Sequence, residues 1–179
     1  DPGWTIEAAS VLDQAHIAAL GTFDVVYSWG VLHHTGAMWQ ALENAARPVA
    51  PGGLLFVSIY NDQGLTSRIW KGVKIAYNRA PILRPFLLGA VALRAWLPRM
   101  AWDLLAGHPF QSFRQYRTQR GMSPWRDVVD WVGGYPFEVA KPEEIFDFYR
   151  ARGFTLRKLR TCGGGLGCNE LVLERAARP

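Results

Sequence analysis

Residues 23–61, FDVVYSWGVLHHTGAMWQALENAARPVAPGGLLFVSIYN, decide how this chain folds. FDVVYS is an apolar run behind an acidic start, the pattern of a strand buried on both faces. A loop with two adjacent histidines follows. Met38, Leu42 and Ala45, with Ala41 and Ala46 beside them, then recur at helical spacing, and Pro51-Gly52-Gly53 is expected to stop the helix. Pro48 costs an interior helix about 3 kcal/mol, so the helix should end by Arg47 or kink there. LLFVSIY is a second continuous apolar strand. Strand, helix of about a dozen residues and buried strand make a βαβ crossover, the unit that builds parallel sheets with helices on both faces.

Working outward, 179 residues suit one domain with a real core and no need of disulfides. A hydrophobic content of 49% with 20% charged residues is globular and argues against wholesale disorder. Cys162 and Cys168 have no His or Cys companions at zinc-ligand spacing, so no metal site is expected. Without a disulfide framework or signal-like start, the expected location is the cytoplasm. The longest apolar stretch, Pro85 to Leu93, is about half of what a membrane span requires.

Residues 62–140 read as a helical insertion. Ile69, Trp70, Val73 and Ala76-Tyr77 mark a first amphipathic helix, which Pro81 and Pro85 interrupt. Phe86 to Leu97 is a second helix, with Met100 to Leu105 continuing beyond Pro98. A third piece runs through Phe113 and Tyr116 to Gly121. Ser123-Pro124 opens a short helix that turns Trp125, Val128, Val129 and Val132 inward. From Asp62 to Arg126 eleven Lys and Arg stand against two acids, inside an otherwise mildly acidic chain. That block suggests an anionic neighbour: a phosphorylated substrate, lipid headgroups at a membrane surface, or nucleic acid. A solvated surface whose arginines cover apolar neighbours is the bland alternative.

At Lys141 the main fold resumes with a helix that Pro142-Glu143-Glu144 opens and Gly153 stops. Thr155–Thr161 and Asn169–Arg175 are strand-like and joined by a glycine-rich hairpin. A strand follows Gly163-Gly164-Gly165-Leu166-Gly167, which disqualifies it as a phosphate cradle, since that needs a helix there.

The order of a Phe-Asp-Val-Val strand, a Leu-His-His loop, a helix, a Pro-Gly-Gly turn and a second strand resembles the second half of class I S-adenosylmethionine-dependent methyltransferases. The resemblance covers residues 1–61 and 141–179. It implies an α/β fold: part of a Rossmann-like, mostly parallel sheet whose final strand is antiparallel, with residues 62–140 inserted as a helical lid. A short strand is expected from Trp4 to Ala8 and a helix around Gln14–Leu20. The glycine-rich cofactor loop and the acidic ribose ligand of that family are not found before Phe23, so the chain reads as a fragment with half the cofactor site. Without the family's first strands, the sheet should have a gap or an exposed edge.

Site roles follow from the same resemblance. S-adenosylmethionine is the implied cofactor, and its site should lie at the carboxyl ends of the strands. Asp13, with Val11 and Leu12, would receive the adenine; otherwise Asp13 simply caps a helix. Ser28, Trp29 and Gly30 would border the methionine portion, or Trp29 packs in the core. His33 and His34 are the clustered ionisable pair in the loop, so either could deprotonate a hydroxyl acceptor, His34 being nearer the helix start; in many relatives the loop only shapes a pocket. Tyr60 and Asn61, ending the second strand, are substrate-side candidates, unless Asn61 only holds a turn. Asp127 and Asp130, three apart on a helix with Trp131, Tyr135 and Glu138 near, could line a pocket or be solvated. The implied activity is methyl transfer to a small-molecule acceptor, hydrophobic or phosphorylated. The alternatives are a nucleic-acid-binding module using Arg114, Arg117, Arg120 and Arg126 with Trp125, and a non-catalytic methyltransferase remnant.

Overall fold

A computed structural model of the chain describes residues 3 and 5–177. The elements run α1 (Gln14–Ala19), β1 (Phe23–Trp29), α2 (Met38–Ala46), β2 (Val49–Tyr60), α3 (Leu65–Arg79), α4 (Arg84–Leu105), α5 (Gln111–Arg120), α6 (Pro124–Gly133), α7 (Pro142–Arg150), β3 (Phe154–Arg160) and β4 (Cys168–Arg175). The chain divides into two compact units, residues 1–67 with 136–179, and residues 68–135.

The first unit is built on a four-stranded sheet of order β1-β2-β4-β3. β1 and β2 pair in parallel, and β4 pairs antiparallel with both β2 and β3. Three strands therefore point one way and the last strand the other, the mixed α/β sheet expected. Leu55, Val57 and Ile59 of β2 and Leu171 and Leu173 of β4 are fully buried, joined in one core by Met38, Ala41 and Leu42 of α2 and by Ile145 and Tyr149 of α7. The period-two burial along β4 shows that one sheet face carries the core.

The other face corrects an expectation. β1 was read as buried on both faces, but Val25, Tyr27 and Trp29 are 62%, 67% and 52% exposed. β1 pairs only with β2 and stands at the sheet edge, so its outward face has no covering helix. Tyr27 finds its partner in the sheet, stacked on Phe56 at 4.9 Å. The strand expected over residues 4–8 starts at Trp4, outside the described residues. Residues 5–8 form no strand and are exposed, because no described strand offers their backbone a ladder.

Pro51-Gly52-Gly53 does not stop the helix; α2 ends at Ala46 with Arg47 as its cap, just before Pro48. The three residues instead form an irregularity inside β2, where the register jumps from Phe23↔Val49 to Val25↔Leu54. A Cβ at Gly53 would meet the backbone oxygens of Ala50, Asp24 and Phe23 at 2.9, 3.0 and 3.1 Å, so only glycine fits.

The second unit packs α4, α5 and α6 around Trp96, Val128 and Val132. Pro98 does not break α4, which runs unbroken through it; one lost N–H bond is outweighed by the packing of Trp96 against Phe113 and Tyr116 at 5.2 and 4.9 Å. Trp125, expected inward, is 54% exposed in the first turn of α6, while Val128 and Val132 further along the same face are buried. On α3 the fully buried residue is Lys74 rather than the apolar stripe, and Ile69 is exposed. The Lys74 ammonium lies 4.3 Å from the Trp131 ring centroid and donates to the Trp131 carbonyl. Burial pulls its pKa down to about 8. Asp127 accepts from the Tyr116 hydroxyl, which ties it into the unit's interior.

Candidate functional site

β1 and β2 are parallel neighbours, so Trp29 and Ser58 are register partners and the two strands deliver their following loops to the same end of the sheet. After β1, Gly30 takes a φ of 74°, a left-handed turn that a side chain would strain, and the chain enters a short 3-10 turn at Leu32–His34. After β2, Tyr60 leads into Asn61. The rings of His33 and Tyr60 lie 4.0 Å apart, those of His34 and Tyr60 5.5 Å, and those of the two histidines 4.6 Å. The structure thus assembles three of the residues picked from the sequence.

Geometry separates the two histidines. His33 is fully buried beneath the Tyr60 ring. His34 is part-buried, and its Nδ1 lies 2.7 Å from the Pro136 carbonyl oxygen. A carbonyl only accepts, so Nδ1 carries the proton and the neutral ring keeps its basic lone pair on Nε2.

Segment 136–138, assigned from sequence to the insertion, closes this loop. Glu138 accepts the Met38 N–H with both carboxylate oxygens, at 3.0 and 3.2 Å, supplying the cap that Ala37 cannot, and its own N–H donates to the His33 carbonyl at 3.0 Å. Phe137 packs on Tyr60 with ring centroids 5.3 Å apart. The only sequence signal for this segment was a loss of helical spacing after Gly133-Gly134, in Tyr-Pro-Phe-Glu-Val.

Asn61 is held from several sides. Its N–H donates to the Gly167 carbonyl at 2.9 Å, and its side-chain oxygen accepts from Asn169 Nδ2 at 3.0 Å. The glycine-rich hairpin is thus fixed against the end of β2. Cys168, the register partner of Tyr60, is mostly buried, and burial pushes its thiol up, which keeps it protonated at neutral pH.

The Val11-Leu12-Asp13 turn is anchored differently. Asp13 caps α1, its Oδ1 accepting from the N–H groups of Ala15 and His16 at 3.0 and 3.1 Å. Val11 and Leu12 pack on the core, and the fully buried Asn44 donates from Nδ2 to the Val11 carbonyl at 2.9 Å. Asn44, unnoticed in the sequence, is what ties this turn to α2. Trp29 is half-exposed and donates from Nε1 to Glu170 at 3.2 Å, which excludes its being ordinary core packing.

Residues 7–57 match the family model described as methyltransferase domain. That segment of the chain is similar to a methyltransferase domain. Solved structures share the fold of the chain at low identity. An O-methyltransferase family protein from Burkholderia thailandensis is 16% identical with a TM-score of 0.50, the match covering 98% of this chain and 36% of that one. PKMT2 from Rickettsia typhi, in a complex with AdoHcy, is 11% identical with a TM-score of 0.54, covering 96% of this chain and 39% of that one. The chain therefore spans well under half the length of these two structures. No curated protein matches the sequence.

Proposed function

We propose that this chain forms the acceptor-side part of an enzyme that transfers a methyl group from S-adenosylmethionine to a small molecule. The observation carrying the reading is the convergence of the Trp29-Gly30 turn, His34 and Tyr60 at the carboxyl ends of two parallel strands, the first two inside the segment that matches a methyltransferase domain and Tyr60 just beyond it. The residues present fit part of the cofactor. Gly30 turns at positive φ, and a Cβ there would meet no atom within 4 Å, leaving its backbone approachable. Asp13 stands exposed at the turn that Asn44 holds. Asp13 with Val11 and Leu12 would hold the adenine end, and Ser28, Trp29 and Gly30 the methionine end. The cofactor, when bound, supplies an activated methyl on a sulfonium.

The chain's own residues then have limited tasks. Pro136 fixes the His34 ring so that Nε2 can take the acceptor's proton. Tyr60 and Phe137 exclude water from the histidines with their ring faces. Asn61, pinned by Asn169 and Gly167, orients the hairpin beside them. A hydrophobic or phosphorylated acceptor suits the basic, aromatic residues 62–126.

The test is transfer of isotope-labelled methyl from S-adenosylmethionine into small-molecule extracts by the protein that contains this chain. Label should enter small-molecule products, and Gly30→Val should abolish cofactor binding in calorimetry. Label that appears only in protein or nucleic acid would refute the acceptor class. Unaltered cofactor binding by Gly30→Val would refute the site.

A further inference from the structure

In the second unit, α4 presents an apolar stripe that nothing among the described residues covers. Phe86, Leu93, Leu97 and Leu104 are 72%, 63%, 63% and 68% exposed. They are spaced by seven, four and seven residues, which at 3.6 residues per turn places all four within about 20° of one line along the helix. The stripe is about 27 Å long at about 1.5 Å per residue. Ile82 and Leu105, near its two ends, are exposed as well. Beside it opens a groove of about 570 Å³ whose lining includes Leu93 and Leu97 of the stripe together with Trp96, Phe113 and Trp125. The half-exposed Trp125, unexplained by packing in its own unit, stands at this groove.

Charge says what kind of surface this is. Between residues 63 and 126 the sole acid is Asp103, which is buried and accepts from the Ser112 N–H and hydroxyl at 2.8 and 2.7 Å. No exposed carboxylate occurs in that stretch. Arg84, Arg94, Arg99, Arg114, Arg117 and Arg126 are all exposed there. An uncovered apolar helix face with an unbalanced cationic surround is the composition of an interfacial helix lying in a membrane surface. No helix among the described residues is long and apolar enough to cross a membrane. A second copy of this chain is a poor occupant, because it would set two arginine-rich surfaces against each other. Nucleic acid would satisfy the arginines but leave the leucine stripe in water.

We propose that residues 82–126 dock the protein on an anionic phospholipid bilayer. The Phe86–Leu104 stripe enters the boundary between headgroups and acyl chains, the groove at Trp96 and Trp125 takes a lipid hydrocarbon chain, and the arginines pair with lipid phosphates. The proposal stands apart from methyl transfer, since docking requires neither cofactor nor acceptor.

Sedimentation of the whole chain with vesicles tests it. Vesicles of phosphatidylcholine with about a quarter phosphatidylglycerol should retain the protein, and pure phosphatidylcholine should retain at least tenfold less. Acyl chains brominated near the headgroup should quench tryptophan fluorescence, and the quenching should shrink in Trp125→Phe. Leu93→Asp with Leu97→Asp should lower retention at least tenfold at an unchanged thermal midpoint. Because both leucines are exposed, the fold should survive; if the midpoint moves, Arg94→Glu with Arg114→Glu serves as the second variant and should lower retention on anionic vesicles alone. No retention on anionic vesicles, retention without quenching, or retention indifferent to both variant pairs would overturn the proposal. So would a lipid-free dimer that the leucine variants dissociate, or tighter capture by an oligonucleotide than by vesicles.

Discussion

Lys74 gives the second unit a pH-dependent stability of calculable sign. Its ammonium is buried on α3 against the Trp131 ring and carbonyl, and its pKa falls from 10.5 to about 8. Below about pH 8 the group is charged in both folded and unfolded chains, and the folded state bears the full cost of burying that charge. Between about 8 and 10.5 the folded state has released its proton while the unfolded chain still holds it. The unfolded state binds more protons there, so stability rises with pH. The gap of about 2.5 units, at about 1.36 kcal/mol each, is worth roughly 3 kcal/mol across the window. Lys74→Met keeps the length of the side chain and removes the charge, so its stability should lack this rise. The measurement is urea unfolding followed by tryptophan fluorescence at intervals from pH 7 to 10.5, taken as the difference between the two proteins. Taking the difference cancels other alkaline titrations common to both, such as that of Cys168. With about 1 kcal/mol taken off throughout for the lost hydrogen bond to Trp131, the difference should favour the unsubstituted protein by about 1 kcal/mol at pH 10.5 and Lys74→Met by roughly 2 kcal/mol at pH 7. A difference that stays constant with pH would refute the reasoning, since Lys74 would then titrate alike in both states.

Three further outcomes are expected. Gly53→Ala drives a Cβ into three backbone oxygens within 3.1 Å and should cost about 1–3 kcal/mol, read from the unfolding midpoint of the sheet unit; a neutral effect would mean that the β2 irregularity relaxes freely. Tyr149→Phe removes a buried hydroxyl that donates to the Leu42 carbonyl at 3.1 Å, and should lose about 1 kcal/mol with no change in cofactor affinity. His34→Gln should lower methyl-transfer turnover at least tenfold, whereas His33→Ala should mainly lower stability, by about 2–4 kcal/mol, because His33 is fully buried under Tyr60. Equal turnover losses at equal stability for the two variants would erase the distinction drawn between them.

Much of the first unit was legible in the sequence because its signals are local. Pro48 and the spacing from Met38 bounded α2, Asp13 capped α1, and Pro142 with Glu144 opened α7, where Glu144 accepts the Lys141 N–H at 2.7 Å. The order of the βαβ unit gave the parallel pair. Burial was less legible. FDVVYSW is apolar enough for an interior strand, yet its exposure depends on what stands beside it, which no feature of those seven residues encodes. Pro51-Gly52-Gly53 likewise reads as a turn, and only the register of β1 against β2 shows that the strand continues through it.

Spacing, propensity and composition along the chain were enough for most element types, the parallel β1–β2 pair, the adjacency of His33 and His34, and the cationic excess of residues 62–126. Tertiary structure alone decided that Pro136, Phe137 and Glu138, about a hundred residues downstream, close the histidine loop and give His34 its tautomer. It also decided that Asn44 holds the Val11 turn and that Lys74 is buried beside Trp131. The reason is physical: a hydrogen bond between distant residues, or the loss of water around a charge, depends on which surfaces the folded chain brings into contact, and local sequence pattern carries no record of that choice.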